Sequence, residues 1–110
     1  MRPSGHVGVR PIVSVAEKAE SFARGNALWG SLVLMKSLIL EAGGGGLVEA
    51  IDVDVVRDPE VGDKSSICFM IRVNGAISEA LEFDQRISGL VYEDVPRGDQ
   101  THFAVRFEFA

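Results

Sequence analysis

Apolar and polar residues alternate along three stretches of this chain and recur at helical spacing along two others. From Leu47 to Val56, the residues Leu47, Ile51, Val53 and Val55 share one face (with Glu49 among them), while Ala50, Asp52 and Asp54 lie on the other. Ser66 to Val73 repeats the pattern, with Ile67, Phe69, Ile71 and Val73 inward and Cys68, Met70 and Arg72 outward. Phe103, Val105, Phe107 and Phe109 alternate with Ala104, Arg106 and Glu108. A side-chain period of two belongs to a half-buried strand, so each stretch predicts one. Asp58-Pro59 and Gly62-Asp63 mark a hairpin loop over Arg57 to Ser65, between the first two strands.

Two segments carry the helical period. Ser14-Val15-Ala16-Glu17 matches a capping box, in which a hydroxyl accepts from an amide three residues on and the glutamate reaches back. From Val15, residues Ala19, Phe22, Ala23, Trp29, Leu32, Val33, Met35, Leu38 and Ile39 recur at three- and four-residue steps. Gly25-Asn26 predicts a break, with a second piece from about Ala27 to Ala42 and Gly43 as a left-handed stop. That piece is apolar nearly all round, with Lys36 and Glu41 its only charges, which predicts burial on more than one side.

The segment after Asn74-Gly75 carries two conflicting signals. Asn-Gly between apolar runs is a hairpin turn, and would make Ala76 to Phe83 a strand. Against it, Leu81, Ile87, Leu90 and Val91 are helically spaced, Glu79, Glu82 and Asp84 come early, and Pro96 ends the run. We read Ser78 to Val95 as a helix.

The resulting order is helix-strand-strand-helix-strand. It predicts an α+β fold, a small, mainly antiparallel sheet with its helices packed on one face. Asp52, Asp54, Arg72, Arg106 and Glu108 then fall on the far face, where cross-strand ion pairs are expected. Residues 1–13, with Pro3, Gly5, Gly8 and Pro11, read as a flexible N-terminal arm or short edge strand. Residues 14–110 form the single domain that this length accommodates.

Composition removes several classes of function. A lone cysteine, Cys68, excludes an internal disulfide framework. A net charge of -5, with phenylalanines alternating toward the core, argues against a nucleic-acid partner. The charge is also uneven, since residues 1–40 hold five cations against two anions and the remainder six against fourteen. The most apolar stretch, Ala27 to Leu40, contains Lys36 and falls short of the about 20 residues a membrane span requires. No apolar run follows the first residues at signal-peptide distance, so the expectation is a cytoplasmic protein with no membrane partner.

Candidate chemistry is sparse. Asp52, Asp54, Glu60 and Asp63 fall at positions one, three, nine and twelve of a calcium-type loop, but Val56 and Arg57 occupy positions five and six. Gly43 to Gly46 runs from helix to strand, opposite to a phosphate-binding loop. Cys68 and His102 would approach one another if their strands are neighbours, which makes them the candidate reactive pair. Two histidines and one cysteine, widely separated, predict no metal site, and nothing predicts a cofactor.

The unexplained residues are apolar. Trp29, Leu32, Leu34, Met35 and Leu38 ring a helix that one sheet face covers on one side only, and uncovered apolar surface marks an interface. The expectation is a non-catalytic interaction module that self-associates as a dimer through this helix. One alternative is a small-molecule-binding protein or enzyme with its pocket between the apolar helix and the sheet. Another is an acidic, inhibitor- or antitoxin-like protein that meets a basic partner protein.

Overall fold

A computed structural model describes residues 11–43, 46–57 and 65–109. In chain order these form β1 (Ile12–Val15), α1 (Glu17–Gly25), α2 (Trp29–Gly43), β2 (Val48–Arg57), β3 (Ser65–Val73), α3 (Ile77–Asp94), α4 (Arg97–Gln100) and β4 (Phe103–Phe109). The fold is α+β, with one four-stranded sheet in the order β1-β2-β3-β4.

β2 and β3 pair antiparallel, as their alternation predicts. The register sets Ile51 against Ile71, Val53 against Phe69 and Val55 against Ile67, so the branched and aromatic side chains meet on one face. Asp52 against Met70 and Asp54 against Cys68 fall on the other. The expected hairpin loop falls largely on residues 58–64, outside the described residues.

Both outer strands are parallel additions, β1 to β2 and β4 to β3, so the sheet is mixed rather than mainly antiparallel. The reason lies in the connections. A helix laid back across a sheet returns the chain to the end it started from, and the next strand then runs parallel. The element order also differs from helix-strand-strand-helix-strand, because it opens on β1, divides the first helical segment and adds α4.

β1 replaces the expected capping box at Ser14. Ser14 is a strand residue opposite Asp52, and α1 is capped by Ala16 with no side-chain hydrogen bond. A Ser cap contributes about 1 kcal/mol. Four residues of ladder, the Ala16 N–H to Val53 carbonyl bond of 2.9 Å and the packing of Val13 and Val15 against the core outweigh it. Of the arm or short edge strand expected over residues 1–13, residues 1–10 lie outside the described residues and Ile12 and Val13 belong to β1.

The break near Gly25-Asn26 is present. The Asn26 side-chain amide donates to the Phe22 carbonyl at 2.8 Å, and Ala27 adopts φ 58° before the Leu28 N–H reaches the Ala23 carbonyl at 2.7 Å. Gly43 differs from expectation. It is the last residue of α2 and is buried, and the described glycine with positive φ is Gly46. Gly43 is small for packing: a Cβ there would lie 2.6 Å from Val48 Cγ2 and 3.4 Å from Phe83 Cζ.

After β3 the helical period prevails over Asn74-Gly75. Glu79 Oε1 accepts from the Ala76 N–H at 2.9 Å, which is half of a capping box, since Ala76 has no side-chain oxygen to complete it. Ala80, Phe83 and Ile87 face the core, whereas Leu81, expected to point inward, is exposed.

All the packed apolar residues of α1, α2 and α3 join those of the sheet in one cluster on one face. This has a topological consequence. β1 to β2 and β3 to β4 step across the sheet in the same direction, yet the two pairs run antiparallel to each other. With both connections over one face, the two crossovers have opposite hands, so one of them is of the rare left-handed kind.

Two glycines separate packing from helix propensity. Gly89 sits in α3 with nothing within 4 Å of an added Cβ. Gly89→Ala is expected to raise stability by about 0.5–1 kcal/mol in urea denaturation. Gly43→Ala, whose Cβ meets Val48, should lower it by about 1–3 kcal/mol. Equal effects at the two sites would contradict the packing described for the end of α2.

Candidate functional site

Of the residues expected at an interface on α2, Leu32, Met35 and Leu38 lie inside the monomer core. Trp29 and Leu34 are half-buried at its margin. The Arg24 guanidinium covers the Trp29 ring, 4.2 Å from its centroid. The sheet, α1 and α3 cover much of the apolar circumference of α2, while Val33 stays 38% exposed.

Cys68 and His102 come onto the same face of neighbouring strands. Cys68 pairs with Ala104, and the His102 carbonyl accepts from the Ile67 N–H at 2.8 Å just before β4 begins. No hydrogen bond joins the two side chains, and the buried His102 Nδ1 has no partner among the described residues. Burial pushes the Cys68 thiol pKa up; nearby Arg106 opposes this and Asp54 adds to it. A thiol held neutral is a weak nucleophile.

Ser31, Asp99 and His102 converge on one end of the molecule, but not as a catalytic relay. The buried Ser31 hydroxyl donates directly to Asp99 Oδ2 at 2.6 Å, and that bond ties α2 to α4. Activation of a serine needs an imidazole in the position that the carboxylate occupies here. Among the described residues no group of three His, Cys, Asp or Glu side chains gathers to hold a metal ion. Among the described residues, too, no helix is long and apolar enough to cross a membrane.

The remaining distinctive feature is the β4 side of the sheet. Among the described residues no strand lies beyond β4, so one side of its backbone is unpaired. The Ile67 N–H bond to the His102 carbonyl fixes which side. In a parallel ladder of this phase, His102, Ala104, Arg106 and Glu108 bond toward β3. Phe103, Val105, Phe107 and Phe109 then present their N–H and C=O groups outward.

A groove runs beside that edge. Phe103 and Val105 of β4, Met35 of α2, Asp84, Ile87, Ser88 and Val91 of α3 and Gln100 of α4 line a cleft of about 260 Å³. Gln100 closes one end, its amide donating to the Val91 and Val95 carbonyls at 3.1 and 2.8 Å. Further along α3, Ile77 and Leu81 continue the same flank, 67% and 59% exposed, and Phe109 of β4 is 49% exposed. The Phe83 ring meets Phe107 edge-on at 5.8 Å, which sets the level of α3 above the strand. On the opposite sheet face, Arg72 and Glu108 form the expected cross-strand ion pair at 3.0 Å.

Sequence reasoning identified β4 and its alternation but not this site. The exposure of Leu81 and the position of β4 at the edge both depend on strand order, which no local pattern encodes.

The thiol supplies a pH prediction. With its folded pKa raised, Cys68 contributes stability that is present below the ordinary thiol value and lost as pH rises through the folded one. Alkylation by iodoacetamide should be slow at about pH 7 and accelerate only above the range of a free thiol. Rapid labelling of the folded protein at neutral pH would contradict the burial described for Cys68.

No protein-family model matches the chain, and no curated protein or solved structure matches it.

Proposed function

We propose that this chain is a protein–protein interaction module whose working surface is the open edge of β4 with the adjoining flank of α3. The observation that carries the proposal is the coincidence of two features on one side of the molecule. An unpaired strand edge offers main-chain hydrogen bonds, and an apolar groove beside it receives alternate side chains. Together they meet the requirements for adding an extended segment as a further strand, where the backbone supplies affinity and the groove specificity.

A cleft of about 260 Å³ beside an unpaired strand edge is of a size to receive side chains of an added strand. Asp84, Ser88 and Gln100 give it polar contacts on one wall. The self-association expected of α2 belongs more naturally to this edge, since Leu32, Met35 and Leu38 are committed to the core.

Selection of random seven-residue peptides against the immobilised protein tests the proposal. Peptides with alternate apolar residues should emerge, and should slow amide exchange at Val105, Phe107 and Phe109. Leu81→Asp should reduce their binding while leaving stability within about 0.5 kcal/mol, because Leu81 is exposed. Peptides that leave those amides untouched, or ignore Leu81→Asp, would refute it.

A further inference from the structure

We infer that the strand added at the β4 edge is β4 of a second copy of this chain, antiparallel about a two-fold axis at Phe107. The inference rests on the reading of that edge as a strand-accepting site.

Backbone phase restricts the ways two copies can join. Only Phe103, Val105, Phe107 and Phe109 present free main-chain groups outward, so these residues must face one another across an antiparallel junction. The two-fold registers are then few, and charge separates them. An axis at Arg106 sets Arg106 against the partner's Arg106, and an axis at Glu108 sets carboxylate against carboxylate. Axes at Val105 or Ala104 set neither β4 charge against its opposite on the partner's β4. An axis at Phe107 sets Arg106 against the partner's Glu108, and Glu108 against the partner's Arg106. Both fall at the closer, non-hydrogen-bonded positions of the ladder.

The charges suit that arrangement. Arg106 is exposed and has no ion-pair partner among the described residues. Glu108 receives both Arg72 Nε and Nη2 on Oε1, which leaves Oε2 for a further donor. Such exposed pairs add little affinity, but a like-charge alternative is penalised, so they select register.

The apolar side fits the same axis. Phe107 lies at the level of Phe83, so the exposed Leu81 stands near the axis and Ile77 beside it. Leu81 would meet the partner's Leu81, and the half-exposed Phe109 would lie opposite the partner's Val105. The surfaces left uncovered on α3 and β4 are therefore the ones this junction covers.

Sedimentation of the full chain and of two charge variants tests the register. The parent should sediment at twice 11.9 kDa. Arg106→Glu sets carboxylate against carboxylate at both junction pairs, and Glu108→Arg sets guanidinium against guanidinium. Each should weaken self-association by roughly tenfold or more. Mixed in equal amounts, the two variants should regain the parent's affinity, because one chain then brings two carboxylates and the other two guanidinium groups. Both positions are exposed, and circular dichroism checks that the fold is kept. In the unsubstituted protein, exchange at Val105, Phe107 and Phe109 should slow as concentration rises. A mixture that stays monomeric overturns the register, and variants that dimerise like the parent overturn the interface. A parent that is monomeric, yet takes selected peptides at β4, overturns the second copy and leaves the strand-accepting edge standing. A dimer whose β4 amides exchange freely removes both.

Discussion

The antiparallel ladder between β2 and β3 is the constraint on which the rest of this structure depends. It buries Ile51, Val53, Phe69 and Ile71 at the centre of the sheet. It also leaves one free flank on each strand, and the chain reaches each flank only through a helical connection. Parallel pairing on both sides follows, and with it the placement of every helix. Because both connections pass over one face, the described residues form one helical layer and leave the other sheet face without a helix. The bare surface tolerates water because it carries Asp52, Asp54, Arg72, Arg106 and Glu108.

Much of this was legible in the sequence, and the departures have a common cause. The three alternating stretches became β2, β3 and β4 within a residue of their expected ends, because a two-residue period is imposed by burial on one face. The break after Gly25 was legible because glycine and asparagine act locally. Ser14, Gly43 and Leu81 depart from their local signals because their roles are set by residues distant in sequence. Ser14 joins a strand because its backbone pairs with β2 and its neighbours Val13 and Val15 pack on the core. Gly43 is small because Val48 and Phe83 crowd it, and Leu81 is exposed because α3 lies over an edge strand. Local signals propose such residues, and tertiary partners decide them.

The candidate site was less legible than the fold, for a related reason. Arg106, Phe107 and Glu108 announce a strand, but nothing in their spacing tells an edge strand from a central one. The two edges differ in how they are protected. β1 is four residues long and follows Pro11, a short edge of the kind that discourages pairing. β4 is seven residues with no proline, and its adjacent charges are opposite in sign. Charges placed that way repel at an antiparallel junction centred on Arg106 or Glu108, yet pair at one centred on Phe107.

Composition alone points to α2 as the place of association, and the geometry shows how much of that helix the monomer itself covers. A helix apolar on all sides needs cover on all sides, but the cover can come from within the chain. α2 receives much of it from the sheet, from α1 and from α3, and keeps Val33 38% exposed. Its leucines stabilise the monomer at roughly 25 cal/mol per Å² of apolar surface removed from water, whether or not a partner is present. More apolar surface is open where no described element supplies cover. That is the outer flank of α3 over the open edge of β4, where Ile77, Leu81 and Phe109 remain in water beside unpaired backbone. The proposed interaction rests on that coincidence of an unpaired edge with uncovered apolar side chains, whereas the hydrophobicity of α2 goes largely into the monomer core.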